Sequence, residues 1–175
     1  MKTAWLQVAV VGCARCSMDE GQAADDLGRR LALAEAELLC GGRAGIVGAA
    51  CRGARLARGT SVGILPGKVI ESGDRGLSVC LPTGMEAGRN GLLVACAHSV
   101  IAIGGGDGTL SEIALALKAG RQVIGLATSE AESPAGGRKP GLQAQSPAEP
   151  AEAALAAALT VRRPGGWEEA AHRRT

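Results

Sequence analysis

The 175-residue chain contains no phenylalanine and no tyrosine, and it has only two tryptophans. Proteins that bind single-stranded nucleic acids without sequence preference stack the bases on aromatic side chains, so this composition argues against that function. An excess of charge of one sign is also missing, because 19 Lys and Arg residues balance 17 Asp and Glu residues for a net charge of +2. The balance gives no electrostatic reason to expect a nucleic acid or an anionic membrane as partner.

Long apolar runs and a P-loop are absent as well. No segment approaches the roughly 18 consecutive apolar residues of a membrane-spanning helix. The apolar run at residues 6–11 is too short and wrongly flanked for a signal peptide, and it is typical of a first β-strand. We therefore expect a cytoplasmic protein with no membrane partner. Because the pattern Gly-x-x-x-x-Gly-Lys-Ser/Thr does not occur, the chain is not a P-loop NTPase.

Six cysteines are present, and most of them lie inside apolar segments, where cysteine behaves as a small buried apolar residue. Cys13 and Cys16 have C-x-x-C spacing, but no second pair accompanies them. His98 and His172 lack the spacing of zinc ligands, so no metal site is predicted. The favoured interpretation is a turn that happens to contain two thiols. The alternative is redox chemistry of the pair, which follows a predicted strand and precedes a predicted helix.

Strand-like and helix-like segments alternate along the chain. Continuous apolar runs, typical of strands buried on both faces, occur at residues 6–11, 38–40, 61–65, 77–81, 100–103 and 123–126. Helical spacing occurs at residues 22–37, 46–57, 85–97 and 109–119, and an Ala-rich helix is predicted from Ser146 and Pro147 to about residue 159. This order predicts an α/β fold: a three-layer, Rossmann-like, doubly wound and mostly parallel sheet with helices on both faces. We expect one domain over residues 1–161, with a loop at 129–147, and a flexible tail over 162–175.

Glycine clusters follow several predicted strands at their carboxyl ends, which meet at one edge of a parallel sheet and commonly hold the ligand. Glycine lets a backbone approach a ligand closely, and a helix N-terminus offers free N–H groups. A phosphate is therefore predicted at residues 104–109, with the other loops nearby. A single such loop would be explained better by a tight turn, whereas several at one edge favour phosphate binding. The candidate residues are Gly12, Gly41, Gly42, Thr83, Gly84, Gly104, Gly105, Gly106, Asp107, Gly108 and Thr109.

Two charged residues near this edge are candidates for binding or catalysis. Glu112 lies one helical turn from the predicted phosphate, near the sugar of a nucleotide, where a carboxylate stabilises an oxocarbenium-like centre or orients water. The alternative is a capping box, in which Thr109 is the N-cap and Glu112 reaches back to it. Arg89 begins the helix after Thr83 and Gly84, and its alternative is an ordinary solvated arginine.

The helix predicted at residues 109–119 is apolar almost all round, because Leu110, Ile113, Ala114, Leu115, Ala116 and Leu117 leave little polar surface. A helix of this kind is buried on more than one side. We therefore expect a homo-oligomer, with the helix at residues 85–97 as a second contributor to the interface.

Residues 105–109 are similar to the GGDGT box of NAD kinases and diacylglycerol kinases, in which Asp107 would serve an ATP-dependent reaction. In those families the box is followed by a large β-rich domain. Here the segment after Thr109 is predicted to hold one strand, one loop and one helix. The architecture therefore disfavours a kinase.

Taken together, the motifs resemble the SLOG Rossmann-like superfamily, which includes molybdenum cofactor carrier proteins and the Lonely Guy, or lysine decarboxylase-like, phosphoribohydrolases. The resemblance covers roughly residues 6–126, with weaker similarity at 146–159. It implies a homodimer or homotetramer and a phosphorylated small-molecule partner, with molybdenum cofactor or a nucleoside monophosphate as ligand. The motifs are GGRAGIVGAACRGA at 41–54, VGILPG at 62–67, PTG at 82–84, RN at 89–90 and IGGGDGTLSEI at 103–113.

The Lonely Guy enzymes carry a PGGxGTxxE box whose glutamate acts with an arginine of the preceding helix, so the resemblance gives Glu112 and Arg89 catalytic roles. This chain has Gly104 in place of the proline, and Asn90 where the enzymes usually carry lysine. Both departures are more similar to the carriers, and residues 74–76 also replace an Asn-Pro pair at the rim of the pocket. The sequence therefore predicts a binding protein for a phosphorylated nucleotide- or pterin-like ligand. A phosphoribohydrolase of nucleoside 5′-monophosphates is the alternative, and a GGDGT-type kinase is a third, weaker one.

Overall fold

The predicted apolar runs form the strands of one sheet in the computed structural model, which describes residues 6–104, 107–126, 142–144 and 148–161. In this part of the chain the strands are β1 (Gln7–Gly12), β2 (Glu37–Cys40), β3 (Ser61–Leu65), β4 (Val79–Pro82), β5 (Ser99–Ile103), β6 (Gln122–Leu126) and β7 (Leu142–Ala144). The helices are α1 (Met18–Leu33), α2 (Ile46–Leu56), α3 (Arg89–Cys96), α4 (Asp107–Lys118) and α5 (Ala148–Val161), with short 3₁₀ turns at Ile70–Ser72 and Glu86–Gly88.

The sheet is parallel throughout, and its strand order is β4-β3-β2-β1-β5-β6-β7. The order runs outward from β1 in both directions, so Val10 pairs with Cys40 of β2 on one side and with Ile101 of β5 on the other. Where the winding reverses, the connections from neighbouring strands leave in opposite directions and open a crevice at the carboxyl ends. The fold therefore places a crevice at the ends of β1, β2 and β5.

Helices cover both faces of the sheet, as the sequence predicts. Val8 and Val10 of β1 pack in an apolar cluster with α1, α2 and α5 on one face. Ala9 and Val11 pack in a second cluster with α3 and α4 on the other face. Because successive strand residues point to opposite faces, a strand buried on both sides is apolar at every position. The predicted three-layer α/β architecture is confirmed.

Helix α1 begins four residues before the predicted position, and the prediction that it extends to Glu37 is wrong. Its start is fixed by a capping box, in which Ser17 Oγ accepts the Glu20 N–H and Glu20 Oε2 accepts the Ser17 N–H, with N···O distances of 3.2 and 2.8 Å. The helix ends at Leu33, and Glu35 adopts a φ of 58°, which turns the chain out of the helix. Glu37 is already the first residue of β2.

The predicted loop at residues 129–147 contains one strand that the sequence analysis missed. Residues Leu142–Ala144 form β7, in which Leu142 pairs with Ile124 of β6. The predicted tail at 162–175 lies outside the described residues. Within the described part, no helix is long and apolar enough to cross a membrane.

Candidate functional site

A cavity of about 310 Å³ opens at the crevice between the carboxyl ends of β1, β2 and β5. Four parts of the chain line it: the end of β1 with the loop after it, the loop after β2 with the first turn of α2, the first turn of α3, and the first two turns of α4. The lining residues are Val11, Gly12, Cys13, Ala14, Gly41, Arg43, Ala44, Val47, Arg89, Asn90, Gly108, Thr109 and Glu112. The fold therefore brings six of the predicted site residues, Gly12, Gly41, Arg89, Gly108, Thr109 and Glu112, into one cleft.

Arg89 and Glu112 form an ion pair across the cleft between α3 and α4. Arg89 Nη1 donates to Glu112 Oε1 at 2.8 Å, and the two side chains are only 14% and 9% exposed. Burial raises the pKa of the Glu112 carboxyl, and the neighbouring Arg89 charge opposes that shift. The solvated-arginine alternative for Arg89 is therefore wrong.

The capping-box alternative for Thr109 and Glu112 is wrong as well. Helix α4 begins at Asp107, so Thr109 is its third residue and cannot be its N-cap. The Glu112 carboxylate faces Arg89 instead of the start of its own helix. Thr109 is 3% exposed and lines the cleft, while no described residue lies within 4 Å of the position of a Cβ added to Gly108. The first turn of α4 is therefore open on the side of the cleft.

Gly41 provides the space in which the Arg89 guanidinium lies. A Cβ atom on Gly41 would come within 2.6 Å of Arg89 Nη2 and 2.8 Å of Nη1. Arg89 Nε is buried and has no hydrogen-bond partner among the described residues. The sequence predicts that Gly41 lets the backbone approach the ligand, whereas in the structure its missing side chain lets Arg89 pack against the backbone.

The loops after β1 and β2 are joined by hydrogen bonding and by close packing. The Ile46 N–H donates to the carbonyl of Cys13 at 3.2 Å. Gly45, the N-cap of α2, has a φ of +88° and packs against the carbonyls of Cys13 and Ala14, so a side chain at this position would be strained and would clash. The two loops therefore form one wall of the cleft.

Four predicted site residues do not line the cleft, although they lie close to it in the chain. Thr83 Oγ1 donates to the Leu65 carbonyl at 2.7 Å and accepts the Met85 N–H at 3.2 Å, so its hydroxyl fixes the turn into α3. Gly84 faces the Lys68 side chain. These two residues position the start of α3, and with it Arg89.

The other two such residues are Gly42 and Gly104, whose backbone groups are used within the fold. The Gly42 carbonyl accepts the Asp74 N–H at 2.9 Å, and the Gly104 N–H donates to the Leu126 carbonyl at 3.3 Å. Gly105, Gly106 and the side chain of Asp107 lie outside the described residues. The predictions for those three positions remain predictions.

The cysteines of the C-x-x-C sequence differ in environment. Cys13 lines the cleft, and Cys16 is exposed. Cys40 and Cys51 lie farther inside, with 3.7 Å between their Sγ atoms, and the hydrogen bond to Cys51 together with burial raises the pKa of Cys40 well above its ordinary value. Among the described residues, no group of three or more His, Cys, Asp or Glu side chains is arranged to hold a metal ion.

Arg43 also lines the cleft, although it is not among the predicted site residues. It follows the Gly41-Gly42 pair at the carboxyl end of β2, and this position after a strand is the signal that points to it. A second, larger depression of about 730 Å³ lies beside α1, and its lining includes the charged residues Asp19, Asp25, Asp26 and Arg29. There Asp26 binds Arg29 and Arg30 at 2.8 Å each, which is typical of a solvated helix face.

Comparison with known proteins agrees with this architecture. The sequence profile of the SLOG cluster4 family matches residues 5–153. A protein of uncharacterized function from Archaeoglobus fulgidus is 35% identical over 121 residues, which cover 69% of this chain and 80% of that protein. The molybdenum cofactor binding protein from the phototrophic bacterium Rippkaea orientalis is 32% identical, with a TM-score of 0.80 over 89% of this chain and 98% of that one. The molybdenum cofactor carrier protein from Chlamydomonas reinhardtii is 30% identical, with a TM-score of 0.76 over 89% of this chain and 99% of that one.

Proposed function

Because the chain belongs to the SLOG cluster4 family, we propose that it is a binding protein for a phosphorylated nucleotide- or pterin-like molecule, of the cofactor-carrier type. The names of the two similar solved proteins point to the molybdenum cofactor as the cargo to test first. The observation that carries the proposal is the open first turn of α4, where Gly108 and the buried Thr109 line a cleft at the reversal of strand order.

The first turn of a helix leaves backbone N–H groups without partners inside the helix, and its dipole favours an anion there. Gly108 adds no side chain, so a phosphate has access to these N–H groups, and the Thr109 hydroxyl offers a further hydrogen bond. A cleft of about 310 Å³ lies at the lower end of the range that holds small molecules. These features support a phosphate-anchored ligand of modest size.

Titration calorimetry with molybdenum cofactor and with nucleoside 5′-monophosphates tests this proposal. We expect binding that Thr109→Ala weakens by about tenfold, the value of one charge-assisted hydrogen bond. Thr60→Ala is the matched control, because Thr60 precedes β3 at the opposite, amino end of the sheet. The proposal fails if no ligand binds, or if Thr109→Ala and Thr60→Ala have the same affinity as the unmodified chain.

The Arg89–Glu112 pair favours a second candidate function, the hydrolysis of the N-glycosidic bond of nucleoside 5′-monophosphates. Both side chains line the same cleft, and burial raises the pKa of Glu112, as suits a general acid. In this case the protein releases the free base and ribose 5-phosphate, and Glu112→Gln abolishes the release. Turnover that Glu112→Gln leaves unchanged removes Glu112 from the mechanism.

We also propose that the protein forms a homodimer through the α3 side of the sheet. Val79 and Leu81 of the edge strand β4 pair in register with Val62 and Ile64 of β3, which lie on this face, and they are 43% and 46% exposed. Leu92 of α3 and Met85 extend the apolar surface, with 40% and 51% exposure. A second copy would remove this apolar surface from water.

Light scattering at micromolar concentration tests the proposed dimer. Leu81→Glu should convert the dimer to a monomer, and a parent chain that is already monomeric contradicts the proposal.

A further inference from the structure

Three of the described residues that line the cleft carry a formal charge, and two of them neutralise each other. Arg89 and Glu112 form the ion pair described above. Arg43 is exposed and makes no ion pair or side-chain hydrogen bond with any residue in the described part of the chain. The described wall of the cleft therefore carries one positive charge that no neighbouring carboxylate compensates.

The backbone that carries Arg43 is held on both sides. Before it, the Gly42 carbonyl accepts the Asp74 N–H at 2.9 Å. After it, Gly45 packs against the loop that follows β1, and the Ile46 N–H donates to the Cys13 carbonyl at 3.2 Å. Arg43 therefore projects from a fixed turn, and less conformational freedom is lost when its guanidinium binds a ligand than for an arginine on a free loop.

Arg43 and the first turn of α4 lie on opposite sides of β1. Arg43 follows β2 and α4 follows β5, and each of these strands is a direct neighbour of β1. Neighbouring strands lie about 4.8 Å apart, so the ends of β2 and β5 are separated by roughly 10 Å. In the described part of the chain, the cleft thus has an anion-favouring helix start on one side and, on the other, a cation without a carboxylate partner.

We infer that Arg43 binds a second anionic group of the ligand, so that the cleft selects compact molecules with an anion at each end over molecules with a single phosphate. This inference rests on the proposed function, because it names the ligand class that the same cleft takes. A guanidinium binds phosphate or a similar oxyanion with two parallel hydrogen bonds, which increase the affinity and fix the orientation of the bound group. A nucleoside 5′-monophosphate leaves Arg43 without such a partner, whereas a nucleoside bisphosphate supplies one.

Titration calorimetry with adenosine 5′-monophosphate and adenosine 3′,5′-bisphosphate tests the inference, because the two probes share base and sugar and differ by one phosphate. We expect the unmodified chain to bind the bisphosphate about tenfold more tightly, and Arg43→Gln to reduce that ratio to near one. Arg43→Lys should keep part of the preference, since it keeps the charge but loses the paired hydrogen bonds. Arg55→Gln is the matched control, because it removes the same charge from an exposed residue near the end of α2, outside the cleft. We expect this variant to keep the full preference for the bisphosphate over the monophosphate.

The inference is overturned if the unmodified chain binds both nucleotides equally well, or if Arg43→Gln leaves the ratio unchanged. In either case a loss of affinity for the monophosphate in Thr109→Ala would still support the proposed function. If the unmodified chain binds neither nucleotide at millimolar concentration and does not bind molybdenum cofactor, the proposed function fails and the inference fails with it.

Discussion

The guanidinium of Arg89 packs directly on the backbone of Gly41, with two of its nitrogens within 2.8 Å of the point where another residue would carry its Cβ. The contact joins the end of β2 to the start of α3, and from there the ion pair with Glu112 continues to α4. Three segments that are distant in sequence are thus held together around the cleft by one arginine.

Gly41→Ala should displace Arg89 and disrupt its ion pair with Glu112. The added methyl group would overlap the guanidinium, and moving the arginine leaves a buried carboxylate without its partner. We expect a loss of about 1–3 kcal/mol in the free energy of unfolding, measured by chemical denaturation. Gly67→Ala is the control, because a Cβ on Gly67 lies more than 4 Å from the atoms of the described residues that surround it. Equal stabilities of the two variants would contradict the packing described.

Arg89→Met should destabilise the fold by about 3 kcal/mol, because it leaves the Glu112 carboxylate buried and unpaired. The double variant Arg89→Met with Glu112→Gln removes the charge as well, and we expect it to recover most of that loss. A double-mutant cycle by urea denaturation measures the coupling between the two sites. Additive effects of the two substitutions would show that the side chains do not interact.

Glu112 should make the stability of the protein depend on pH in a defined direction. Burial raises its pKa in the folded state above the reference value of 4.5, so the folded state holds this proton more tightly than the unfolded state. The contribution of Glu112 to stability is therefore largest below about pH 4.5, falls as the pH rises through the folded pKa, and is constant above it. The difference in unfolding free energy between the parent chain and Glu112→Gln, measured from pH 4 to pH 7, isolates this contribution. A difference that grows with pH would mean that the pKa of Glu112 is lowered instead.

Ser17→Ala should shorten or fray α1 at its first turn. The substitution removes the hydroxyl that accepts the Glu20 N–H, and loss of such a cap costs about 1 kcal/mol. Ser111→Ala is a matched control, since Ser111 is an exposed residue inside α4. The melting temperatures of the two variants measure the difference, and a Ser17→Ala variant as stable as Ser111→Ala would exclude a stabilising cap.

The layers of the fold could be predicted because strands buried on both faces are apolar without interruption. β3 is predicted with its correct bounds of Ser61–Leu65 for this reason. The start of α1 was missed because Met18 is 92% exposed and adds nothing to the apolar pattern, so only the Ser17 and Glu20 pair marks it. β7 was missed because it has three residues and exists through its pairing with β6, which no local pattern reveals.

The position of the candidate site could be predicted from the sequence, because loops that follow parallel strands meet at one edge. The meeting of Arg89 with Glu112 in one cleft follows from that rule. The contact between Gly41 and Arg89 could not be predicted, since it depends on the 3₁₀ turn at Glu86–Gly88 that sets the start of α3. The same rule predicts that Thr83, which also follows a strand, contacts the ligand, but its hydroxyl is hydrogen-bonded within the turn that leads into α3.

Three other strands, β2, β3 and β4, separate the central strand β1 from its neighbour β5 along the chain. The N–H of Gln7, the first residue of β1, donates to His98 Nδ1, 91 residues farther along the chain. The chain must therefore be synthesised as far as His98 before β1 loses its open edge, and until then that edge is available for pairing with other chains. Pairings this distant also make folding slow compared with a helical bundle of the same length. The reversal of winding that creates the cleft thus delays completion of the sheet during biosynthesis.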